Sequence, residues 1–192
     1  RSQFRFPETS IGIYPGLGGT QRTPRICGIE AARFAVLAGN FLDAGSAASF
    51  GLLTHLVDPS EVEQTVSAIS SSGKPSNKYP ARPTDSSHPA AAFALEFYND
   101  ANMESLAAGN CPEGFDPEDK MVSRQLKSLS RTAPIALSMA SDLLNDAVLT
   151  GDNLQQGLAL ELERLDDIFA SSDALEGLSA LIQGRRPNYT NS

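Results

Sequence analysis

The sequence predicts a helix-rich α/β piece, and three observations carry that prediction. Apolar residues alternate once, at Phe4 and Phe6, in the manner of a strand. The run Ile11-Gly12-Ile13-Tyr14-Pro15-Gly16-Leu17-Gly18-Gly19 then holds too many turn residues for a helix interior. From about residue 118 to the end, apolar residues recur at helical spacing almost without interruption.

The elements follow in order. Thr20 is a plausible N-cap for a short helix through Arg22 to Cys27, with Pro24 in its first turn and Gly28 as its stop. A second helix is expected from Ile29 to Ala38, closed by Gly39. Asp43 caps a third, ending at Gly51. Leu52, Leu53, Leu56 and Val57 read as a buried strand, followed by a helix from Glu61 to Ile69. Residues 70–89 are rich in Ser and Pro and read as a loop. A helix is expected from Ala90 to Ala108 and a break from Gly109 to Pro117. Pro134 restarts a helix; a later one carries Leu154, Leu158, Leu162, Leu165 and Phe169 on one side. Asp152 with Gln155 is the expected cap of that helix, and Asp173 with Glu176 that of the last one.

Composition narrows the function classes. The chain has 192 residues, enough for one domain with its own core, with 41% hydrophobic and 20% charged residues. Its net charge of −8 gives it no electrostatic reason to seek nucleic acid or an anionic membrane. No apolar run is long enough to span a bilayer. Two distant cysteines, Cys27 and Cys111, fit reduced thiols in a cytoplasmic protein better than a metal site. The opening in mid-alternation suggests a piece of something longer.

Catalytic equipment is sparse. His55 falls in the expected buried strand, where a structural role is the ordinary reading, and His88 falls in the loop, where it is simply solvated. No nucleophile motif and no metal-ligand spacing is present. Gly16-Leu17-Gly18-Gly19 ahead of a helix can offer N–H groups to an anion, but such a run alone is more often a tight turn. Glu8, after Pro7, is on its own terms a surface residue.

A longer pattern changes that weighting. The run from Phe4 through Pro7-Glu8, Gly12 and Pro15-Gly16-Leu17-Gly18-Gly19-Thr20-Gln21-Arg22 resembles the crotonase-family segment F-x-x-P-E-x-x-x-G-x-x-P-G-x-G-G-T-Q-R. Downstream, Ala38-Gly39 through Ala44, then Ala47 and Gly51-Leu52-Leu53, is similar to a second stretch of that family. Glu176-Gly177-Leu178 and Arg185-Arg186-Pro187 resemble its ending. Fixed spacing over so many positions is far more specific than a lone glycine motif.

The resemblance implies an α/β crotonase-like (ClpP/crotonase spiral) fragment, predominantly helical. Residues 1–72 would be the C-terminal part of the core, 73–118 a variable insert with one helix, and 119–192 a helical trimerisation region. It implies an enoyl-CoA hydratase that adds water across the C2–C3 double bond of a 2-enoyl-CoA in fatty-acid β-oxidation. Residues 73–118 and Ser130 to Leu137 are similar to the module fused to 3-hydroxyacyl-CoA dehydrogenases.

Carried over residue by residue, Glu8 matches the glutamate that exchanges the proton at C2, and Gly16 the residue whose N–H helps hold the water. Pro15 and Leu17 would border the substrate. Gly184 stands where many members have a lysine for the CoA nucleotide, so Arg185 and Arg186 either substitute for it or form a solvated tail. The family's other glutamate and both oxyanion N–H groups belong upstream, so the isolated chain is expected to be nearly inactive. The resemblance implies no metal and no cofactor beyond the substrate's own CoA, and homo-oligomers such as a trimer or dimer of trimers. The other readings are an enoyl-CoA isomerase using Glu8 alone and a non-catalytic oligomerisation fragment.

Overall fold

The computed structural model describes residues 2–72, 82 and 84–192. The strand expected around Phe4 forms, but only as a two-residue piece. β1 (Gln3–Phe4) pairs antiparallel with β2 (Leu42–Asp43), Gln3 opposite Asp43 and Phe4 opposite Leu42. All other regular structure among the described residues is helical.

α1 (Gly19–Cys27) and α2 (Ile29–Val36) meet at Gly28, whose φ of 83° explains the glycine between them. The cap of α1 is Gly18 rather than Thr20. The earlier start moves Pro24 out of the first turn and into the helix interior. α3 (Ala44–Ser49) begins where Asp43 was expected to cap it: the Ser46 N–H donates to Asp43 Oδ1 at 2.7 Å. α4 (Val62–Ser71) follows a capping box of Asp58 and Glu61.

The expected strand over Leu52 to Val57 is absent. Leu52 and Leu53 are half-buried, whereas Leu56 and Val57 are exposed, and His55 with them. A strand needs a neighbour for its ladder, and no described strand pairs with this segment. His55 therefore has no core role in this chain. The expected loop over residues 70–89 falls largely outside the described residues.

Beyond it, α5 (Pro89–Phe97) is capped by His88, whose Nδ1 accepts from the Ala90 N–H, so His88 is a half-buried helix cap and not a free solvated side chain. The single helix expected to Ala108 breaks. Asn99 Oδ1 accepts from the Asn102 N–H, which resets the chain before α6 (Met103–Ala107). α7 (Lys120–Leu129) is capped by Asp119, and α8 (Pro134–Leu149) starts at Pro134 as expected. α9 (Leu154–Glu163) is capped by Asn153, one residue past Asp152, and α10 (Leu165–Ala170) follows at once. Ser171, not Asp173, caps α11 (Ser172–Gln183), which ends on Gly184 in the left-handed region.

The core lies where α8 covers α1 and α2. Small residues make the approach close: Ala31, Ala32, Ala35, Ala136 and Ala140 are all buried. α5 closes the outer side of α2 through Phe34, Phe93, Phe97 and Tyr98, whose rings meet mostly edge to face. A fully buried phenylalanine such as Phe97 contributes roughly 1.5–3 kcal/mol. Buried Arg33 ties the layers together, donating to the Tyr98 carbonyl and Asn145 Oδ1 at 3.0 Å each and pairing with Asp100 at 2.7 Å. Among the described residues, no helix is long and apolar enough to cross a membrane.

Candidate active site

Glu8 opens a 3₁₀ turn (Glu8–Ile11) that is held from every side. Thr9, fully buried, donates its hydroxyl to the Leu37 carbonyl at 3.1 Å, and its own carbonyl accepts from the Ala133 N–H at 3.0 Å. The Ile13 N–H donates to the Glu8 carbonyl at 3.1 Å. On the remaining side, α11 comes so close that Gly12 has no room for a Cβ against the backbone of Asp173 and Ala174. The Tyr189 hydroxyl donates to the Ser10 carbonyl at 2.7 Å, so the C-terminal tail braces the same turn. Asp173 holds that tail, accepting from the Thr190 and Asn191 N–H groups.

On this rigid base the Glu8 side chain is unusual. Its Oε2 is buried without a hydrogen-bond partner. Burial pushes the carboxyl above its usual range, against smaller opposing contributions from its backbone contact and the nearby Arg5 charge. A carboxyl so placed holds a proton more readily than a solvated one and has a free oxygen with which to exchange it.

The glycine-rich turn stands next along the chain, and Phe6 touches it: a Cβ at Gly19 would lie 2.8 Å from Pro15 Cβ and 3.6 Å from the Phe6 ring. Tyr14 and Pro15 are buried. Gly16 faces open space, with nothing within 4 Å of where a Cβ would stand. Leu17 is 100% exposed and sits at φ 56°, a conformation a leucine rarely adopts. Arg22 Nη1 donates to its carbonyl at 2.6 Å.

What secures this turn is Glu161, a residue to which sequence reasoning assigns nothing. Buried at the end of α9, it accepts from the Gly18 N–H at 2.6 Å with Oε1 and from the Thr20 hydroxyl at 2.5 Å with Oε2. Its backbone carbonyl accepts from the Tyr14 hydroxyl at 2.6 Å. Burial and the Glu161 charge push the Tyr14 phenol up to about 12. No sequence signal marks it, since Thr20 is the expected cap; only the observed Gly18 N-cap, which has no side chain, leaves the first turn of α1 in need of an acceptor from elsewhere.

Of the two arginines near the C-terminus, Arg185 is already engaged. It holds Glu176 in a two-pronged pair at 2.5 and 2.7 Å, and the Asn188 N–H adds a third bond to the same carboxylate. Those bonds hold Glu176 down to about 2. Arg186 is exposed and makes no ion pair among the described residues. A cleft of about 490 Å³ opens elsewhere, between α6, α7 and α8, lined by Met103, Leu106, Leu129 and Leu137 among others. It adjoins the Glu8 turn through Leu37, whose carbonyl accepts the Thr9 hydroxyl, and through the start of α8. Among the described residues, no group of acidic, histidine or cysteine side chains has the form of a metal site.

Comparison with known proteins accords with this layout. An enoyl-CoA isomerase/hydratase of Mycosarcoma maydis is 26% identical over 189 residues, which cover 98% of this chain and 48% of that protein. The peroxisomal bifunctional enzyme of Cavia porcellus is 39% identical over 61 residues, 32% of this chain and 8% of that one. In structure, a carnitinyl-CoA dehydratase from Mycobacterium thermoresistibile aligns with a TM-score of 0.71 at 21% identity, covering 98% of this chain and 54% of that one. That likeness shows the crotonase-like fold. The chain spans about half the length of the curated relatives that it matches end to end. The family profile described as enoyl-CoA hydratase/isomerase matches residues 1–192, and this chain belongs to that family.

Proposed function

We propose that this chain supplies the second half of an enoyl-CoA hydratase site, with Glu8 as the group that exchanges the proton at C2. The observation that carries this reading is the buried, unpartnered Oε2 of Glu8 on a turn held immobile by α2, α8, α11 and the C-terminal tail. In hydration, a water oxygen bonds to C3 while a proton is delivered to C2. A carboxyl with raised proton affinity suits that delivery at neutral pH, and the same group recovers its proton from the water.

Gly16, with open space before it, fits a backbone N–H that holds the attacking water, and Pro15 forms the buried floor beneath it. Leu17, wholly exposed on the same turn, fits a contact with the acyl chain of the thioester. Arg186 is the better placed of the two arginines to meet CoA phosphates, since Arg185 is spent on Glu176. The first glutamate and the oxyanion N–H groups would come from a segment preceding residue 1, as would the strand beside which Leu52 to Val57 becomes regular. The exposed apolar residues of α9, α10 and α11, Leu162, Phe169, Leu175 and Ile182 among them, fit a homo-oligomeric contact, a trimer in the simplest case. The match to a bifunctional peroxisomal enzyme supports a fusion with a dehydrogenase domain as one setting for this module.

Isomerisation is the second reading. It is favoured by the fact that Glu8 is the one carboxylate, among the described residues, with a buried unpaired oxygen. One such group can take a proton from one carbon and return it to another.

The test uses this chain and the full-length protein side by side. Each is offered crotonyl-CoA, with loss of the conjugated enoyl absorbance as readout, and a 3-enoyl-CoA, with its gain as readout. Hydration by the full-length protein alone, abolished by Glu8→Gln, is the expected result. Turnover by the 192-residue chain alone would overturn the division of the site. Turnover that survives Glu8→Gln would overturn the role of Glu8.

A further inference from the structure

We infer that Glu161 is a positioning residue for the proposed site: it sets the conformation of the turn that presents Gly16 and Leu17, although it touches neither. This rests on the proposed role of that turn.

Three residues bracketing Pro15-Gly16-Leu17 are fastened to this one side chain and its backbone. Tyr14, before the stretch, donates to the Glu161 carbonyl. Gly18 and Thr20, after it, donate to the two carboxylate oxygens. The three residues between do not touch Glu161; their carbonyls accept from the Thr20 and Gly19 N–H groups and from Arg22, and Leu17 is held at positive φ with no side-chain packing to compensate. The strain in the turn is therefore offset at its ends, through a residue 143 positions away from Gly18 in the chain. The carboxylate also faces the N-terminus of α1, where its charge interacts favourably with the helix dipole. α9 packs closely on α1 here: a Cβ at Gly157, one turn earlier, would overlap the Gln21 side chain of α1. The whole contact joins the C-terminal helices to the site as one rigid piece.

Had Glu161 been only a stability device, one bond to the first turn of α1 would serve. The second bond and the Tyr14 clasp act on the segment that precedes the helix. At the centre of that segment Leu17 points into solvent, although Tyr14 at its start is buried in the core.

The experiment is made on the full-length protein with Glu161→Gln, which keeps the volume but loses the charge and one acceptor, and with Thr20→Val, which removes the hydroxyl that donates to Glu161 and accepts from Gln21 Nε2 and leaves the Gly18 bond in place. Crotonyl-CoA kinetics, thermal melting and amide exchange at Gly18 are measured together. For Glu161→Gln the expected result is a fall in kcat on the order of 10²-fold, as for small misplacements of catalytic groups, with KM nearly unchanged and a cooperative melt retained. Thr20→Val should show a smaller loss in the same direction, and Gly18 should exchange faster in Glu161→Gln. A folded Glu161→Gln protein with wild-type kcat and unaltered Gly18 exchange would overturn the inference, as would a lowered melting temperature as the sole change. A wild-type protein inert toward enoyl-CoA would instead sink the reading of the site, and Gly18 exchange would then decide the positioning role by itself.

Discussion

Gly177 of α11 lies directly on the carbonyl of Ile11, closely enough that no Cβ fits between them. The last helix is thereby seated on the turn that carries Glu8, with Gly12 making the reciprocal approach from the other side. This pair of glycines explains why the last helix sits directly against the turn that carries Glu8.

Gly177→Ala forces one of the two backbones to move, because the atom it meets is a carbonyl oxygen and not a flexible side chain end. Overpacking of this kind costs typically about 1–3 kcal/mol. A lowered denaturation midpoint is expected, together with a loss of turnover larger than the stability change alone accounts for, since Glu8 moves with its turn. Equal stability to wild type would show that α11 can slide away freely.

Glu8 should make stability depend on pH in a direction opposite to most carboxylates. Its folded pKa is raised by burial, so the folded state binds the proton more tightly than the unfolded state. Stability therefore falls as pH rises from the ordinary carboxylate range through the raised value. Glu8→Gln removes that dependence and should be at least as stable as wild type at neutral pH while losing about 10²- to 10⁴-fold in turnover. Urea denaturation of both proteins across that pH range checks the sign.

Glu176 behaves in the ordinary sense. Arg185 and the Asn188 N–H hold it at about 2, against 4.5 for the free group, so the stability it adds is present above 4.5 and disappears as pH falls toward 2. The pair is solvent-exposed, and the gain is correspondingly small. Arg185→Ala should return Glu176 most of the way to its ordinary value, read by carboxyl-carbon NMR titration. If the titration of Glu176 stays near 2, the Asn188 bond alone is responsible.

Leu17 sets stability against function. A leucine at φ 56° costs about 1 kcal/mol relative to glycine, and its side chain has no packing to lose. Leu17→Gly should therefore raise the melting temperature. If Leu17 contacts the acyl chain, the same change raises KM for longer enoyl-CoA substrates more than for crotonyl-CoA. An unaltered chain-length profile would remove Leu17 from the substrate contact.

Much of this was legible in the residues because it is local. Asp43 caps the helix it precedes, Gly28 stops the one before it, and Pro134 starts the longest one, since each outcome depends on a few neighbouring dihedral angles and hydrogen bonds; the helix expected to run to Ala38 and stop at Gly39 ends earlier, at Val36. The family pattern through Glu8 and the glycine turn was equally visible, because fixed spacing survives in one dimension.

What depended on partners was not visible. Leu52 to Val57 has the composition of a strand but no strand to pair with among the described residues, and Leu56 and Val57 stay in solvent. The cap of the last helix went to Ser171 because Asp173, the local favourite, is drawn off by the tail at Thr190 and Asn191. The helix expected from Ala90 to Ala108 broke at Asn99, whose side chain offered the backbone another bond. Glu161 is the plainest case. Nothing around it in the chain marks it out, yet once α9 packs on α1 it closes the first turn of that helix and clamps the turn before it. Sequence alone carried the family pattern and most of the helices, and it singled out Glu8 as the candidate. Only the tertiary structure decided that Glu8 has an unpaired buried oxygen and which distant residues hold its surroundings still, because burial and long-range hydrogen bonds exist only after the helices have packed.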